Sequence, residues 1–346
     1  MENQFELGRI CEVRKNSFII SFEGGEVFAK LKGSFGYASP EELPIVGDHV
    51  SFIHNPSGDS VIQRVLERKT LLSRPDAFTR GGVQYMAANV DYCFIVTSLN
   101  EDYSASRIAR YTSIALAGGC VPVAILTKSD LCADVEKFVR EAAAVSDKLR
   151  VHAVSALTGE GMDALEEYFV PNSTICLMGS SGAGKSTLIN TLAGVQIMKT
   201  AGIRERDDKG RHTTTHRQMI KLDSGVFIID TPGMREIGVA CAEDGVDDAF
   251  SDIVELEKRC RFANCRHESE PGCAVKAAIK NGELSEGRLK LYRELGAERP
   301  NNYAKMKEIS KRQKAYKKQK NSEFSDDLAI QKQTKNSTTG RQYYGN

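Results

Sequence analysis

The chain is 346 residues long, carries a formal net charge of +1 at pH 7 and is 41% hydrophobic. This length predicts two to four domains with cores, and the near-neutral charge by itself predicts no polyanionic partner. With no secretory signal at the start and no apolar run approaching the roughly 20 residues of a membrane span, we expect neither secretion nor membrane insertion. Of the nine cysteines, three lie within 260–273 and six are scattered singly, which favours a reducing, cytoplasmic location and a metal site over disulfides.

The first 72 residues are rich in short strand patterns, with a Gly24-Gly25 turn among them. Five strands are predicted near 6–14, 17–23, 26–32, 47–54 and 60–68. Five short strands in about sixty residues predict a small barrel of OB or SH3-like type. The predicted solvent face mixes cations with acids: Arg9, Arg14, Lys15, Lys30, Lys32, Glu12, Glu23 and Glu26. RNA binding by this barrel and an ordinary mixed surface are both open interpretations.

A central α/β domain is predicted from alternating apolar runs and helical patterns. The apolar runs, typical of strands buried on both faces, are 90–98, 121–127, 174–178 and 226–229. The helical patterns are 104–118, 133–146, 162–170 and 185–193. Such alternation predicts a doubly wound parallel sheet over 73–240, with ligands at the carboxyl ends of the strands.

A glycine-rich loop follows the third of these runs and opens a helix. It comprises Gly179, Ser180, Ser181, Gly182, Ala183, Gly184, Lys185 and Ser186. Its glycines let backbone N–H groups converge on phosphate oxygens, while Lys185 places a cation at the β and γ phosphates. The Ser186 hydroxyl is suited to ligate Mg²⁺. The alternative is a glycine-rich strand-to-helix turn that binds nothing.

Two motifs typical of guanine recognition precede this loop instead of following it. They are Thr127-Lys128-Ser129-Asp130 and Ser155-Ala156. The Asp130 carboxylate is suited to accept the N1–H and 2-amino hydrogens of guanine, a pair that adenine lacks, so GTP is predicted over ATP. Lys128 is expected along the base and the Ala156 N–H at the guanine O6. Taken alone, the tetrapeptide is also compatible with a plain surface turn.

Two segments after the loop have the pattern of nucleotide switches. Gly210-Arg211-His212-Thr213-Thr214-Thr215 comes first, with Thr214 expected as a Mg²⁺ ligand, and Asp230-Thr231-Pro232-Gly233 second. Asp230 is expected to hold Mg²⁺ through water, and the Gly233 N–H to contact the γ-phosphate. Met234 stands where a water-orienting Gln is usual, so His212 is the local candidate for that role. A solvated loop histidine is the alternative for His212.

A cysteine-rich cluster lies in the third domain, predicted over 241–300. Cys260, Cys265, His267 and Cys273 form the pattern C-x4-C-x-H-x5-C. Three thiolates and one imidazole are suited to one closed, structural Zn²⁺ site without a catalytic water. Unlinked cysteines beside a surface histidine are the alternative.

The last 46 residues, 301–346, are predicted as a basic helix and a disordered tail. Residues 299–320 hold nine Lys or Arg and one acid, Glu308, and the stretch after 321 is rich in Asn, Ser, Gln and Thr. Contact with RNA phosphates and a solvated helix are both compatible with the basic stretch.

These motifs in this order resemble the circularly permuted, small-subunit-dependent GTPases of bacteria. Besides the permuted motifs, the likeness rests on residues 88–91 (Ala-Asn-Val-Asp), 260–267 (Cys-Arg-Phe-Ala-Asn-Cys-Arg-His) and 270–273 (Glu-Pro-Gly-Cys). The resemblance implies an N-terminal OB-type barrel, a permuted P-loop GTPase domain and a C-terminal helical zinc domain. It also implies a GTPase that binds the small ribosomal subunit and its rRNA late in subunit maturation. The subunit would stimulate its GTP hydrolysis.

Site residues follow from the same resemblance. Residues 182–187, including Thr187, would bind phosphate; Thr127, Lys128 and Asp130 would bind guanine; His212 would be catalytic. Thr127 departs from the usual Asn, and we expect the lost amide to weaken nucleotide affinity. The expected ligands are GTP or GDP, Mg²⁺ and one Zn²⁺, and we expect a monomer. A GTP-gated RNA-binding scaffold that hydrolyses GTP incidentally is the competing hypothesis.

Overall fold

The computed structural model describes residues 5–15, 17–75, 82–100, 102–194, 218–230 and 243–297. The first 65 residues contain the predicted barrel. Its strands are β1 Phe5–Val13, β2 Phe18–Phe22, β3 Gly25–Leu31, β4 His49–Ile53 and β5 Ser60–Val65. The order β1-β2-β3-β5-β4 closes when β4 pairs with β1, and only β3–β5 is parallel among these pairings. This is the arrangement of an OB barrel, so the OB prediction is confirmed.

A hairpin and the central sheet follow the barrel. The hairpin consists of β6 Leu71–Pro75 and β7 Val83–Ala88. The sheet strands are β8 Tyr92–Ser98, β9 Val121–Thr127, β10 Arg150–Val154, β11 Thr174–Met178, β12 Gln218–Lys221 and β13 Phe227–Asp230. In the order β10-β9-β8-β11-β13-β12 all neighbours are parallel except β12, and β12 also pairs with β1. One sheet therefore runs from the barrel into the α/β domain.

Helices cover both faces of this sheet. They are α1 Ala105–Ala117, α2 Val135–Ala143 and α3 Lys185–Ala193, with 3-10 helices at Ser129–Leu131 and Asp163–Tyr168. Ser104 and Asp134 cap α1 and α2 by accepting backbone N–H bonds. The helix predicted over 162–170 is instead the six-residue 3-10 helix Asp163–Tyr168, confined between Gly161, which has a positive φ of 70°, and Pro171, which cannot continue a helix.

A buried arginine joins the barrel to the sheet. Arg9 was predicted on the solvent side, and that prediction is wrong, because the residue is buried. Its guanidinium donates to Gly47 O (3.2 Å), Asn89 O (3.1 Å) and Thr174 Oγ1 (2.7 Å). It also lies 4.6 Å from the centre of the Phe227 ring, and burial lowers the pKa of Arg9. Contacts at the starts of β11 and β13 thus tie the barrel to the strands that lead into the phosphate and switch motifs.

Four helices make up the described part of the C-terminal region: α4 Glu243–Ala249, α5 Ser251–Glu257, α6 Ala274–Lys280 and α7 Glu286–Ala297. Their apolar side chains, among them Phe250 and Leu289, share one core with α1. Arg288 binds Asp252 (2.7 Å) and donates to Ala144 O (2.9 Å) in the loop after α2. A Cβ on Gly245 would lie 1.9 Å from Ser113 O, so only glycine allows α4 to lie this close to α1. The region that contains the cysteine cluster therefore packs on the α/β domain.

In the described part of the chain, every helix is too short or too polar to cross a bilayer. The predicted basic stretch 299–320 and the tail after it lie outside the described residues, as do His212, Thr214, Gly233 and Met234. The domain boundaries at 72, 240 and 300 stay predictions.

Candidate nucleotide site and metal centre

The separated motifs meet at one edge of the sheet. In the parallel registers Thr127 lies opposite both Ser98 and Val154, and Leu177 lies opposite Asp230. Parallel strands present their carboxyl ends together, and the described parts of the motifs, at 127–130, 155–156, 179–186 and 230, lie at or directly after such ends. The permuted order in the sequence therefore still gives a single cluster of loops.

Glycines shape the loop between β11 and α3. Gly179, Gly182 and Gly184 have φ angles of 143°, 83° and 91°, which favour glycine. A Cβ on Gly179 would lie 2.2 Å from Val96 O, so this position also needs the missing side chain for space. The loop then enters the amino terminus of α3, where free N–H groups and the helix dipole attract anions. This geometry fits a phosphate-binding loop.

The side chain of Lys185 folds back onto the backbone of the loop. Lys185 Nζ donates to Gly179 O (2.9 Å) and Ser180 O (2.7 Å), which places its charge at the loop. Around it, Ser181, Gly182 and Thr187 are exposed and Ser186 is half-buried. The ammonium therefore lies at the loop, where the sequence predicts contact with the β and γ phosphates.

The Thr127-Lys128 pair is bonded directly to the phosphate loop. Thr127 Oγ1 donates to Ala183 O (2.7 Å), and Lys128 Nζ donates to Gly182 O (3.1 Å). Lys128 has a left-handed backbone with φ 61°, which turns the chain directly after β9. The Thr127 hydroxyl therefore joins the predicted guanine motif to the loop without the amide of an Asn. Weaker nucleotide affinity because of Thr127 stays a prediction.

Thr127→Val is expected to weaken GDP binding about tenfold, the scale of one buried hydrogen bond with an unsatisfied carbonyl left behind. The substitution keeps the shape of the side chain and removes the hydroxyl that donates to Ala183 O. Equilibrium titration with a fluorescent GDP measures the effect. Thr112→Val is the matched control, because the Thr112 hydroxyl is buried in α1 without a hydrogen-bond partner among the described residues. An equal affinity in the two variants would contradict the bridge.

The side chains predicted to recognise the base lie on two neighbouring turns. Asp130 is exposed in the 3-10 helix after β9, and Ser155 follows β10, where its hydroxyl accepts the Thr158 N–H (3.2 Å). The two most exposed large apolar side chains in the described residues flank them: Leu157 at 86% and Leu131 at 73%. Ala156, beside Leu157, is half-buried. Exposed apolar side chains next to a carboxylate and a backbone N–H in the sequence are suited to a purine with a polar edge.

Two of the three predicted magnesium ligands are described. Ser186 lies in the first turn of α3, and Asp230 ends β13 in register with Leu177, two residues before the loop. A hydroxyl and a carboxylate at the same sheet edge are the oxygen donors that Mg²⁺ prefers, so these residues fit the ion. Thr214, with the proposed catalytic His212 and Gly233, lies outside the described residues.

The cysteine cluster gathers all four predicted zinc ligands. The ligand atoms of Cys260, Cys265, His267 and Cys273 lie within 4.8 Å of one another. Cys260 Sγ is 3.9 Å from Cys273 Sγ, and His267 Nδ1 is 3.7 and 3.4 Å from these two sulfurs. Zn–S bonds of about 2.3 Å place the sulfurs of a tetrahedral site about 3.8 Å apart. The donor set and its spacing therefore fit a closed zinc site.

A glutamate outside every predicted motif orients His267, one of the four predicted zinc ligands. Glu257 Oε1 lies 2.9 Å from His267 Nε2, and the Tyr292 hydroxyl donates to Glu257 Oε2 (3.1 Å). A carboxylate behind a metal-binding histidine sets the ring orientation and the tautomer, here with Nδ1 toward the thiols. Glu257 is the last residue of α5, and no spacing rule of zinc motifs indicates it.

Comparisons with known proteins agree with this geometry. A family model described as RsgA GTPase matches residues 65–240. The protein named Small ribosomal subunit biogenesis GTPase RsgA 2 of Listeria monocytogenes serotype 4b (strain F2365) is 46% identical over 293 residues, which cover 83% of each chain. The RsgA protein of Methanosarcina acetivorans is 42% identical over 289 residues, 83% of this chain and 78% of its own.

Two crystal structures have the same architecture. YjeQ from Thermotoga maritima superposes with a TM-score of 0.63 at 28% identity, over 84% of this chain and 97% of its own. YloQ, described as a circularly permuted GTPase, has a TM-score of 0.58 at 22% identity, over 86% and 97%, and supports the fold alone.

Proposed function

The chain belongs to the RsgA GTPase family, and from this we propose that it hydrolyses GTP to GDP and phosphate in the biogenesis of the small ribosomal subunit. One observation carries the nucleotide part of the proposal. Thr127 and Lys128, from the base-reading motif, each bond to the phosphate loop at 183 and 182. The segment that would recognise the base and the loop that would bind the phosphates are therefore joined by direct hydrogen bonds.

In this proposal each loop has one task. Asp130 reads the guanine edge, Ala156 N–H meets its O6, and the amides of the glycine-rich loop with Lys185 bind the phosphates. Ser186 and Asp230, joined by Thr214, would hold Mg²⁺, which when bound neutralises charge on the β and γ phosphates. The zinc site stays structural, because its four protein ligands leave no position for water.

Slow intrinsic hydrolysis follows from Met234, whose thioether does not orient an attacking water as a Gln does. We propose that His212 orients the attacking water, and that binding to the small subunit brings His212 into the position for this role. Gly233 N–H would contact the γ-phosphate.

Exposed aromatic side chains beside cations support contact with rRNA. On the barrel, Phe28 is 52% exposed, and the Arg14 guanidinium lies 5.3 Å from the centre of its ring. Next to the zinc ligands, Phe262 is 41% exposed, and the Arg261 guanidinium lies 5.5 Å from its ring centre. Aromatic faces and arginines together bind bases and phosphates of single-stranded RNA. We place the protein in the cytoplasm, as a monomer without membrane contact.

GTP hydrolysis with and without purified small subunits tests the proposal. We expect kcat to rise by orders of magnitude, about 100-fold or more, when subunits are added, because they complete the catalytic geometry. Large subunits at equal concentration are the control. Tight, GTP-dependent binding to small subunits without acceleration would instead favour the GTP-gated scaffold.

A further inference from the structure

Three side chains from outside the phosphate loop hold it at three of its residues. Thr127 and Lys128 bond to the loop carbonyls at 183 and 182. On the other side, the Ser180 hydroxyl donates to the Asp102 carboxylate. Asp102 follows β8, whereas Thr127 and Lys128 stand at the end of β9, so the loop is held from two neighbouring strands. Asp102 belongs to none of the motifs that the sequence analysis identified.

The turn after β8 builds the position of Asp102. Asn100 Oδ1 accepts hydrogen bonds from Ser98 Oγ (2.8 Å) and from the Asp102 N–H (3.0 Å), which closes the turn. Ser104 then caps α1 by accepting the Arg107 N–H (3.3 Å). The carboxylate is therefore presented by a short segment that is bonded at both ends.

A carboxylate beside a phosphate site needs a compensating charge, since it would otherwise repel the phosphates. Arg107 Nη1 lies 2.9 Å from Asp102 Oδ2 and supplies that charge. The hydrogen bond from Arg107 lowers the pKa of Asp102, and Ser180 and the charge of Lys128 lower it further against the opposing effect of desolvation. The carboxylate is therefore ionised near neutral pH and a strong acceptor for Ser180.

Ser180, which Asp102 binds, lies in the part of the loop with the greatest conformational freedom of the backbone. Ser180 and Ser181 stand between Gly179 and Gly182, both of which have positive φ. Without a restraint, this segment would adopt many conformations, and phosphate binding would have to order it at an entropic cost. A hydrogen bond from Ser180 to a fixed carboxylate restricts these conformations before the ligand arrives.

We propose that Asp102, neutralised by Arg107, is a positioning residue that holds Ser180 so that the loop is ordered for a nucleoside phosphate in advance. The proposal rests on the proposed function, since it takes this loop to bind GTP and GDP. It assigns Asp102 no contact with the nucleotide. Its effect is therefore on affinity and release of both nucleotides, and the preference for guanine is unchanged.

Release of a fluorescent GDP by stopped flow tests this role in Asp102→Asn, Ser180→Ala and the double variant. We expect about tenfold faster release in each single variant, the scale of one hydrogen bond to a charged group. The double variant should be no faster than the singles, because one contact is lost in all three. In Asp102→Asn, KM for GTP should rise by a similar factor, with kcat at saturation within about twofold of wild type.

Two comparisons separate positioning from general destabilisation. Ser180→Thr keeps the hydroxyl, so its GDP release rate should lie within about twofold of the wild-type rate. Asp147→Asn, an exposed Asp→Asn change outside the site, should leave the GDP release rate unchanged. Singles that release GDP at the wild-type rate, or a double variant whose loss is the product of the singles, would overturn the proposal. Wild-type protein that retains neither GDP nor GTP would instead contradict the proposed function, and the role of Asp102 with it.

Discussion

Asp130→Asn is expected to lower the affinity for GTP by about 100-fold or more and to raise the affinity for XTP. In the proposed site the Asp130 carboxylate accepts two hydrogens from guanine, and each hydrogen bond to a charged group contributes about 1.5–3 kcal/mol. Asn offers one acceptor and one N–H₂ donor, which clashes with a guanine donor and matches the extra carbonyl of xanthine. Competition of GTP and XTP for a fluorescent GDP analogue, in wild type and variant, measures the switch.

The control for this change lies four residues further on. Asp134 caps α2 by accepting the Lys137 N–H (3.1 Å), and Asn caps helices as well as Asp does. Asp134→Asn should therefore keep both stability and the preference for GTP. An Asp130→Asn variant that still prefers GTP by the wild-type ratio would remove Asp130 from base recognition.

Cys273→Ser is expected to abolish zinc binding and to lower the unfolding temperature by about 10 °C or more. The thiol is buried, 3.4 Å from His267 Nδ1, and accepts the Lys276 N–H at the start of α6. Structural zinc binding contributes several kcal/mol to folding, and about 2–4 °C is lost per kcal/mol in domains of 150–250 residues. Because the C-terminal helices share a core with α1, the shift should extend to the nucleotide domain. Atomic absorption gives the zinc content, and calorimetry the unfolding temperature.

Cys132→Ser serves as the matched change, since Cys132 is a half-buried thiol outside the cluster. It should bind one zinc per chain and unfold within about 2 °C of wild type. One equivalent of zinc in Cys273→Ser, with an unchanged unfolding temperature, would falsify the structural role of the cluster.

The predicted strands agree with the structure where a strand is buried on both faces, because nearly all of its residues are then apolar. The runs 121–127 and 174–178 are strands with those bounds, because a buried parallel strand is apolar throughout. β10 Arg150–Val154 escaped prediction, since it is an edge strand whose side chains are mostly half-buried or exposed. The hairpin β6–β7 escaped because a long connection, not a two-residue turn, joins its strands.

What the sequence determined by itself was the local chemistry: the glycines and lysine of the predicted phosphate loop, and the four-ligand spacing of the predicted zinc site. Such motifs can be predicted from the sequence because all their atoms come from one short stretch of chain. The residue types in that stretch determine its backbone geometry. Only the tertiary structure decided which distant side chains meet them. Asp102 reaches Ser180 across 78 residues and Arg9 reaches Thr174 across 165. Those contacts depend on strand order and register, which arise from the packing of the whole core and leave no mark in the spacing of residues.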